Sequence, residues 1–259
     1  IITFKYINNM LKYIQGDKMK FRKAILLIHG FAGGNYDYGE LSNDLEIFKN
    51  FDVFTFTLPG HDKLIISKVT KNDWLKKAEE QVQKLINNGY NKIYIIGYSM
   101  GGVIAAYLAS KYHAIKKLVL AAPAFEYLAF KEDKVDVIES LKVIPKLFKD
   151  YNSDEVLSRI FKVPIGTIKE FMLLVEEHRD DIKHITCPTL IIHGNKDEIV
   201  PFNSVEFVYN NIRSKAVVLI EIKTLTHDLF INNRYEDVKN IITYFLKKKI
   251  QKKKIKLEI

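Results

Sequence analysis

The stretch that decides the fold of this chain is Lys92-Ile93-Tyr94-Ile95-Ile96-Gly97-Tyr98-Ser99-Met100-Gly101-Gly102. Its first half, Ile93 to Ile96, is a continuous β-branched and aromatic run, the pattern of a strand buried on both faces. After Gly102 comes Val103-Ile104-Ala105-Ala106, an apolar run of small residues that reads as a helix packed on that strand. Between the two sits Gly97-x-Ser99-x-Gly101. A G-x-S-x-G set between strand and helix predicts a sharp turn that holds the serine hydroxyl out of the backbone. A hydroxyl needs such a position, and a neighbouring base, to act as a nucleophile. The flanking glycines let strand and helix approach the turn without a Cβ clash.

The same rhythm runs through the rest of the chain. Strands are expected over 24–28, 53–57, 93–96, 118–121, 189–192 and 217–222, each continuously apolar rather than alternating. Helical stripes lie between them, which predicts an α/β fold: a mostly parallel central sheet flanked by helices. One helix carries Trp74, Leu75, Ala78, Val82, Leu85 and Ile86 on one face, with Asn72 as its expected cap and Gly89 as its stop. The last carries Val238, Ile241, Ile242, Phe245 and Leu246, opened by Asn233 with Glu236 three residues on.

One interval breaks the rhythm. Residues 125–183 are too long for a loop, since structureless connections rarely exceed about 15 residues. Apolar stripes there (Val137, Ile138, Leu141, Ile144; Ile168, Phe171, Met172, Val175) read as helices. The expectation is a small helical cap, inserted before the last two strands over the carboxyl ends of the sheet, where ligands bind. The division is then 1–124 and 184–246 for the core, 125–183 for the cap, and 247–259 for a basic tail.

Composition bounds the function. At 259 residues and 47% hydrophobic, the chain can bury a large core as one domain. No apolar run reaches the ~18 residues of a membrane span. Residues 2–18 mix polar and apolar too finely for a signal-peptide core. The chain opens on Ile1, so either it is trimmed or its true start is Met10 or Met19. A single Cys187 permits no internal disulfide and fits a reducing compartment, so a cytoplasmic location is expected. Of the formal +9, a net +6 lies in the seven lysines and one glutamate of residues 247–259, leaving about +3 elsewhere. That tail is expected as a frayed, solvated helix end, with weak contact to anionic membrane as its one partner role. No basic patch interleaved with aromatics appears in the body, which argues against nucleic acid.

A serine nucleophile requires a base and an orienting carboxylate, each in a loop after a late strand. Asp197 follows the strand ending near His193, and His227 follows the next one. Glu198 is the competing acid. Of the other histidines, His113, His178 and His184 precede the last two strands, His193 is expected under the acid loop, and His61 in a structural turn after Pro59-Gly60. An oxyanion hole needs two backbone N–H donors. Met100, after the nucleophile, supplies one; Phe31, in His29-Gly30-Phe31-Ala32-Gly33-Gly34, is expected to supply the other, with His29 bracing the loop. No metal-ligand spacing and no nucleotide-binding glycine motif is present, so no cofactor is expected.

With these residues in place the chain resembles the α/β-hydrolase superfamily over about residues 24–246. HGFAGG (29–34), PGH (59–61), GYSMGG (97–102), HGNKDEIVP (193–201) and LTHD (225–228) fall in that family's order. More narrowly, residues 72–103 and 161–201 are similar to small bacterial carboxylesterases and monoacylglycerol lipases. That resemblance implies hydrolysis of short or medium acyl esters or monoglycerides, under a helical lid over an acyl pocket. Phe125, Tyr127, Phe130, Phe161 and Phe171 are the candidate pocket residues. Gly60-His61-Asp62 departs from the G-H-G of many relatives, which bears on substrate preference. Serine at 99 disfavours the dehalogenases and epoxide hydrolases that carry aspartate there. Thioesterase and peptidase chemistry stay open, as does a receptor-like binder with vestigial turnover, although a pure binder has no use for a complete acid, base and oxyanion loop.

Overall fold

The computed structural model describes residues 23–61, 68–126, 130–131, 134–135 and 163–259. Its strands are β1 (Lys23–Ile28), β2 (Phe51–Thr55), β3 (Ile93–Tyr98), β4 (Ile115–Ala121), β5 (Phe130–Lys131), β6 (Lys134–Val135), β7 (Thr189–Gly194), β8 (Val217–Ile222) and β9 (Lys254–Glu258). Its helices are α1 (Leu41–Glu46), α2 (Lys71–Asn87), α3 (Met100–Lys111), α4 (Ile165–His178), α5 (Phe202–Asn211) and α6 (Tyr235–Lys247). Seven strands form one sheet in the order β2-β1-β3-β4-β7-β8-β9, every pairing parallel.

The unbroken apolar runs follow from that architecture, because successive side chains point to opposite faces and both faces are covered. Leu26, Ile95, Leu118, Leu120 and Ile191 pack with Trp74 of α2, Val103 of α3, Phe171 of α4 and Val205 of α5. Their chain neighbours Ile25, Leu27, Ile96, Val119, Leu190 and Ile192 pack on the other face with Leu41 and Leu45 of α1 and with Val238 and Ile242 of α6. Each fully buried Leu or Ile contributes about 1.5–3 kcal/mol. α3 is buried from Met100 through Ala106, so it has no polar face and its small residues let it lie close on β3 and β4.

All six expected strands form. β2 lies two residues earlier than expected, aligned with β1 from Lys23 against Phe51. The cap residues require correction. α2 is capped by Thr70, not Asn72: Thr70 is extended, its Oγ1 accepts from Asp73 N at 3.3 Å, and Asp73 Oδ2 accepts from Thr70 N at 2.9 Å. Asn72 lies inside the first turn. The stop at Gly89 does form, in the left-handed region at φ +87°. α6 starts at Tyr235, and Asn233 makes no cap; Asn232 Oδ1 instead accepts from Arg234 N at 2.7 Å.

Within residues 125–183, the described part holds the two-residue antiparallel ladder β5–β6, then α4 and a 3-10 turn over Arg179–His184. The expected stripe of α4 is correct: Phe171, Met172 and Val175 are buried, and α4 rests on α2 and α3. The stripe from Val137 to Ile144 lies outside the described residues.

The tail is the largest correction. Residues 254–258 are not a frayed helix end but β9, which extends the sheet beyond β8 with Val217 opposite Lys254 and Glu221 opposite Glu258. Ile259 N donates to Glu221 O at 3.0 Å and Lys223 N to Ile259 O at 2.8 Å. Lys256 pairs with Glu206 at 2.8 Å, and Lys254 Nζ donates to Tyr209 O at 2.8 Å. No described helix is long and apolar enough to cross a membrane.

Candidate active site

Parallel strands end at one edge of a sheet, so the loops after β1, β3, β7 and β8 meet there. Ser99 occupies the turn between β3 and α3 at φ +53°, ψ −119°, a conformation that costs a non-glycine residue about 1–3 kcal/mol. Three backbone bonds hold it there: Ser99 N donates to Ala121 O at 2.9 Å, and Ser99 O accepts from Gly102 N at 2.9 Å and Ala124 N at 3.3 Å. The glycines are sterically required. A Cβ on Gly97 would lie 2.4 Å from Gly101 O, and one on Gly101 would lie 2.0 Å from Ile28 O.

Asp197, in the loop after β7, and His227, after β8, meet with Nδ1 2.9 Å from Oδ2. A carboxylate only accepts, so Nδ1 carries the proton and the neutral ring keeps its lone pair on Nε2. Asp197 Oδ1 accepts from Ile199 N at 2.9 Å and Val200 N at 2.8 Å, which leaves Oδ2 for the histidine. Burial pushes the Asp197 carboxyl up, but His227, His193 and the Val200 N–H outweigh it and hold it below the usual range. Burial likewise pushes His227 down, and the charges of Asp197, Asp228 and Asp37 with the Asp197 hydrogen bond raise it above its ordinary value.

Among the described residues, Ser99 Oγ and His227 are not joined by a hydrogen bond; such contacts are often long without substrate. Tyr98, adjoining Ser99, touches His227 directly. Its hydroxyl donates to His227 O at 3.0 Å and its ring lies 5.0 Å from the imidazole.

Among the described residues, the amides of Gly30, Ala32, Gly33 and Gly34 in the loop after β1 all have acceptors. Gly30 N donates to Asp37 Oδ2 at 3.2 Å, Ala32 N to His61 Nε2 at 3.2 Å, Gly33 N to Gly30 O at 3.3 Å and Gly34 N to Asp37 Oδ1 at 3.1 Å. Phe31 is the exception: among the described residues its N–H meets no internal acceptor. Gly30 abuts the Ser99 turn, since a Cβ on it would lie 3.2 Å from Ser99 Cβ. The expected brace is present, with His29 Nδ1 2.9 Å from Gly30 O and His29 Nε2 accepting from Leu58 N at 3.0 Å. Burial and the neighbouring His61 lower His29 to about 3, so it braces the loop as a neutral ring.

Other candidates separate. His193 lies buried under the acid loop with Nδ1 3.6 Å from Asp197 Oδ2. His178 pairs with Asp181, away from this edge. Phe171 stacks on Phe31 with ring centroids 5.0 Å apart, beside the loop. Phe125 is a fully buried core residue whose ring lies 6.3 Å from Phe207. Tyr127, Phe161, Asp62 and the side chain of Phe130 fall outside the described residues. Among those described, no three His, Cys, Asp or Glu side chains are placed to hold a metal ion. Asp37 and Tyr98 are the site residues that sequence reasoning left without a role. Gly34-x-x-Asp37 has the spacing of a capping box, the signal that would have found the first.

Comparison with known proteins matches residues 19–234 to the family described as serine aminopeptidase, S33. A thermostable monoacylglycerol lipase of Bacillus sp. (strain H-257) is 23% identical over 79% of this chain and 82% of its own. A carboxylesterase of Bacillus subtilis is 23% identical over 87% of this chain and 93% of its own. Among solved structures, the monoacylglycerol lipase of Paleococcus ferrophilus superposes with a TM-score of 0.65 at 21% identity, covering 86% of this chain and 93% of that one.

Proposed function

This chain belongs to the serine aminopeptidase S33 family of α/β-hydrolases, and on that premise we propose that it hydrolyses carboxylic esters through Ser99, His227 and Asp197. The observation that carries the reading is the strained serine turn at φ +53° on the same sheet edge as an Asp197–His227 pair at 2.9 Å. Backbone strain of this kind persists where the surrounding structure enforces it, and it collects at reactive sites.

In this mechanism Ser99 Oγ attacks the ester carbonyl carbon as His227 Nε2 takes its proton. The carbonyl electrons move onto oxygen, and the Phe31 and Met100 N–H groups bind the resulting oxyanion; one such donor is worth ~2.7–4 kcal/mol. Asp197 holds the imidazole tautomer and stabilises the imidazolium. His227 then protonates the departing alkoxide, leaving acyl-Ser99. Water attacks that ester, its proton passing to His227, and the carboxylic acid leaves as Ser99 is reprotonated.

The relatives named carboxylesterase and monoacylglycerol lipase favour short or medium acyl esters and monoacylglycerols as substrates. The Phe31–Phe171 stack gives an acyl chain an apolar wall beside the oxyanion loop. A second reading, aminopeptidase, takes support from the family description. A panel of p-nitrophenyl esters from acetate to laurate, against aminoacyl p-nitroanilides, separates the two. The account expects ester turnover with a chain-length optimum, lost in Ser99→Ala. Turnover confined to the anilides would replace it with the peptidase.

A further inference from the structure

Asp37 is built into the loop that carries Phe31, and the mechanism above gives it no part. Its two carboxylate oxygens accept from Gly30 N at 3.2 Å and Gly34 N at 3.1 Å, one on each side of the Phe31 amide. The loop closes around the carboxyl, since a Cβ on Gly33 would lie 1.9 Å from Oδ2. The neighbouring Tyr38 is fully buried, and its hydroxyl lies 2.7 Å from Ile28 O and 3.0 Å from Ile96 O. That ties the turn bearing Asp37 to the ends of β1 and β3, the strands that deliver Phe31 and Ser99.

We propose that Asp37 is a positioning residue, its ionised carboxylate holding Gly30 and Gly34 so that the Phe31 N–H points at the oxyanion. The proposal rests on the ester-hydrolase reading of Ser99. Ionised, the group offers a charged acceptor to both amides; protonated, one oxygen becomes a donor and a poorer acceptor, and the bond to it weakens. Its surroundings set this change near neutrality. Burial raises the carboxyl to about 7 against the lowering effect of the two N–H bonds and of His227. The charged groups facing it are His227 and Asp228 from the loop after β8, and Tyr38 is the titratable neighbour on its own turn.

The sign is specific. Folded Asp37 holds its proton to higher pH than the ~3.9 of an unfolded chain, so wild-type stability falls as pH rises from about 4 to 7. Catalysis runs the other way, because the oxyanion loop is fully held only above that range. The rate therefore has two requirements on its acid side, a neutral His227 and an ionised Asp37.

Two measurements test this. In substrate-free wild type, the amide shifts of Gly30, Phe31 and Gly34 should titrate together with a midpoint near 7, and that transition should vanish in Asp37→Asn. In turnover, log kcat should fall more steeply in wild type than in Asp37→Asn over about one to two pH units below the transition, and with a slope of one in both at lower pH. The variant's kcat should drop about tenfold to a hundredfold, with KM within about twofold. A residue that merely supported the fold would move neither the slope nor the kcat-against-KM split. Amides that do not titrate, or a variant with wild-type kcat and slope, overturn the proposal. If the variant fails to fold, the wild-type titration decides alone. A wild type inert toward esters would strike down the ester reading, while the amide titration still decides whether Asp37 controls the loop.

Discussion

At the scale of single residues, the site depends on which ring nitrogen of His227 carries the proton. Asp197 settles that by spending Oδ1 on Ile199 N and Val200 N and turning Oδ2 to Nδ1. An asparagine there would keep the backbone bonds but could present N–H to the ring, moving the imidazole proton to Nε2, where Ser99 needs an acceptor. Asp197→Asn should therefore lower kcat by about 10⁴-fold with little change in KM. A loss below tenfold in p-nitrophenyl ester turnover would remove Asp197 from its role. That Ser99, Asp197 and His227 come to one sheet edge was legible because each follows a strongly apolar strand. Asp37 was not: its carboxyl acts on backbone amides, which leave no side-chain pattern, although the spacing from Gly34 was there to see. Thr70 was missed for a related reason, since Thr70 and Asn72 are both good caps and only the backbone angles decide between them.

Among the elements, β9 shows how composition can mask periodicity. Lys254-Ile255-Lys256-Leu257-Glu258 alternates with period two, the strand signal, yet its lysines read as a solvated end. Charge and strand are compatible because β9 is an edge, and lysines on an edge discourage pairing with another chain. Its removal would uncover the N–H and C=O groups of β8 from Val217 to Glu221. Deleting residues 254–259 should lower Tm by about 5 °C, taking the strand at roughly 2 kcal/mol, and should promote association through the bared β8 edge. Calorimetry with light scattering checks both; an unchanged Tm would return the tail to a solvated role. The two-residue β5–β6 ladder was unreadable because a period needs more residues than it has.

Across the whole molecule, the place of the candidate site follows from strand polarity. Because all seven strands of the sheet are parallel, residues as distant in sequence as Phe31, Ser99, Asp197 and His227 are delivered to one edge. This was legible in advance, since a right-handed βαβ rhythm leaves few topologies. The shape of the loop around Phe31 was not, because Asp37 and His61 set it by pairing with the neighbouring amides. The claim that everything else rests on is that Ser99 is an armed nucleophile. It is tested most directly by intact mass and peptide mapping after treatment with a fluorophosphonate. The account predicts one phosphonyl group per chain, on Ser99, and none in Ser99→Ala. An unlabelled wild type, or a label retained in Ser99→Ala, would contradict it.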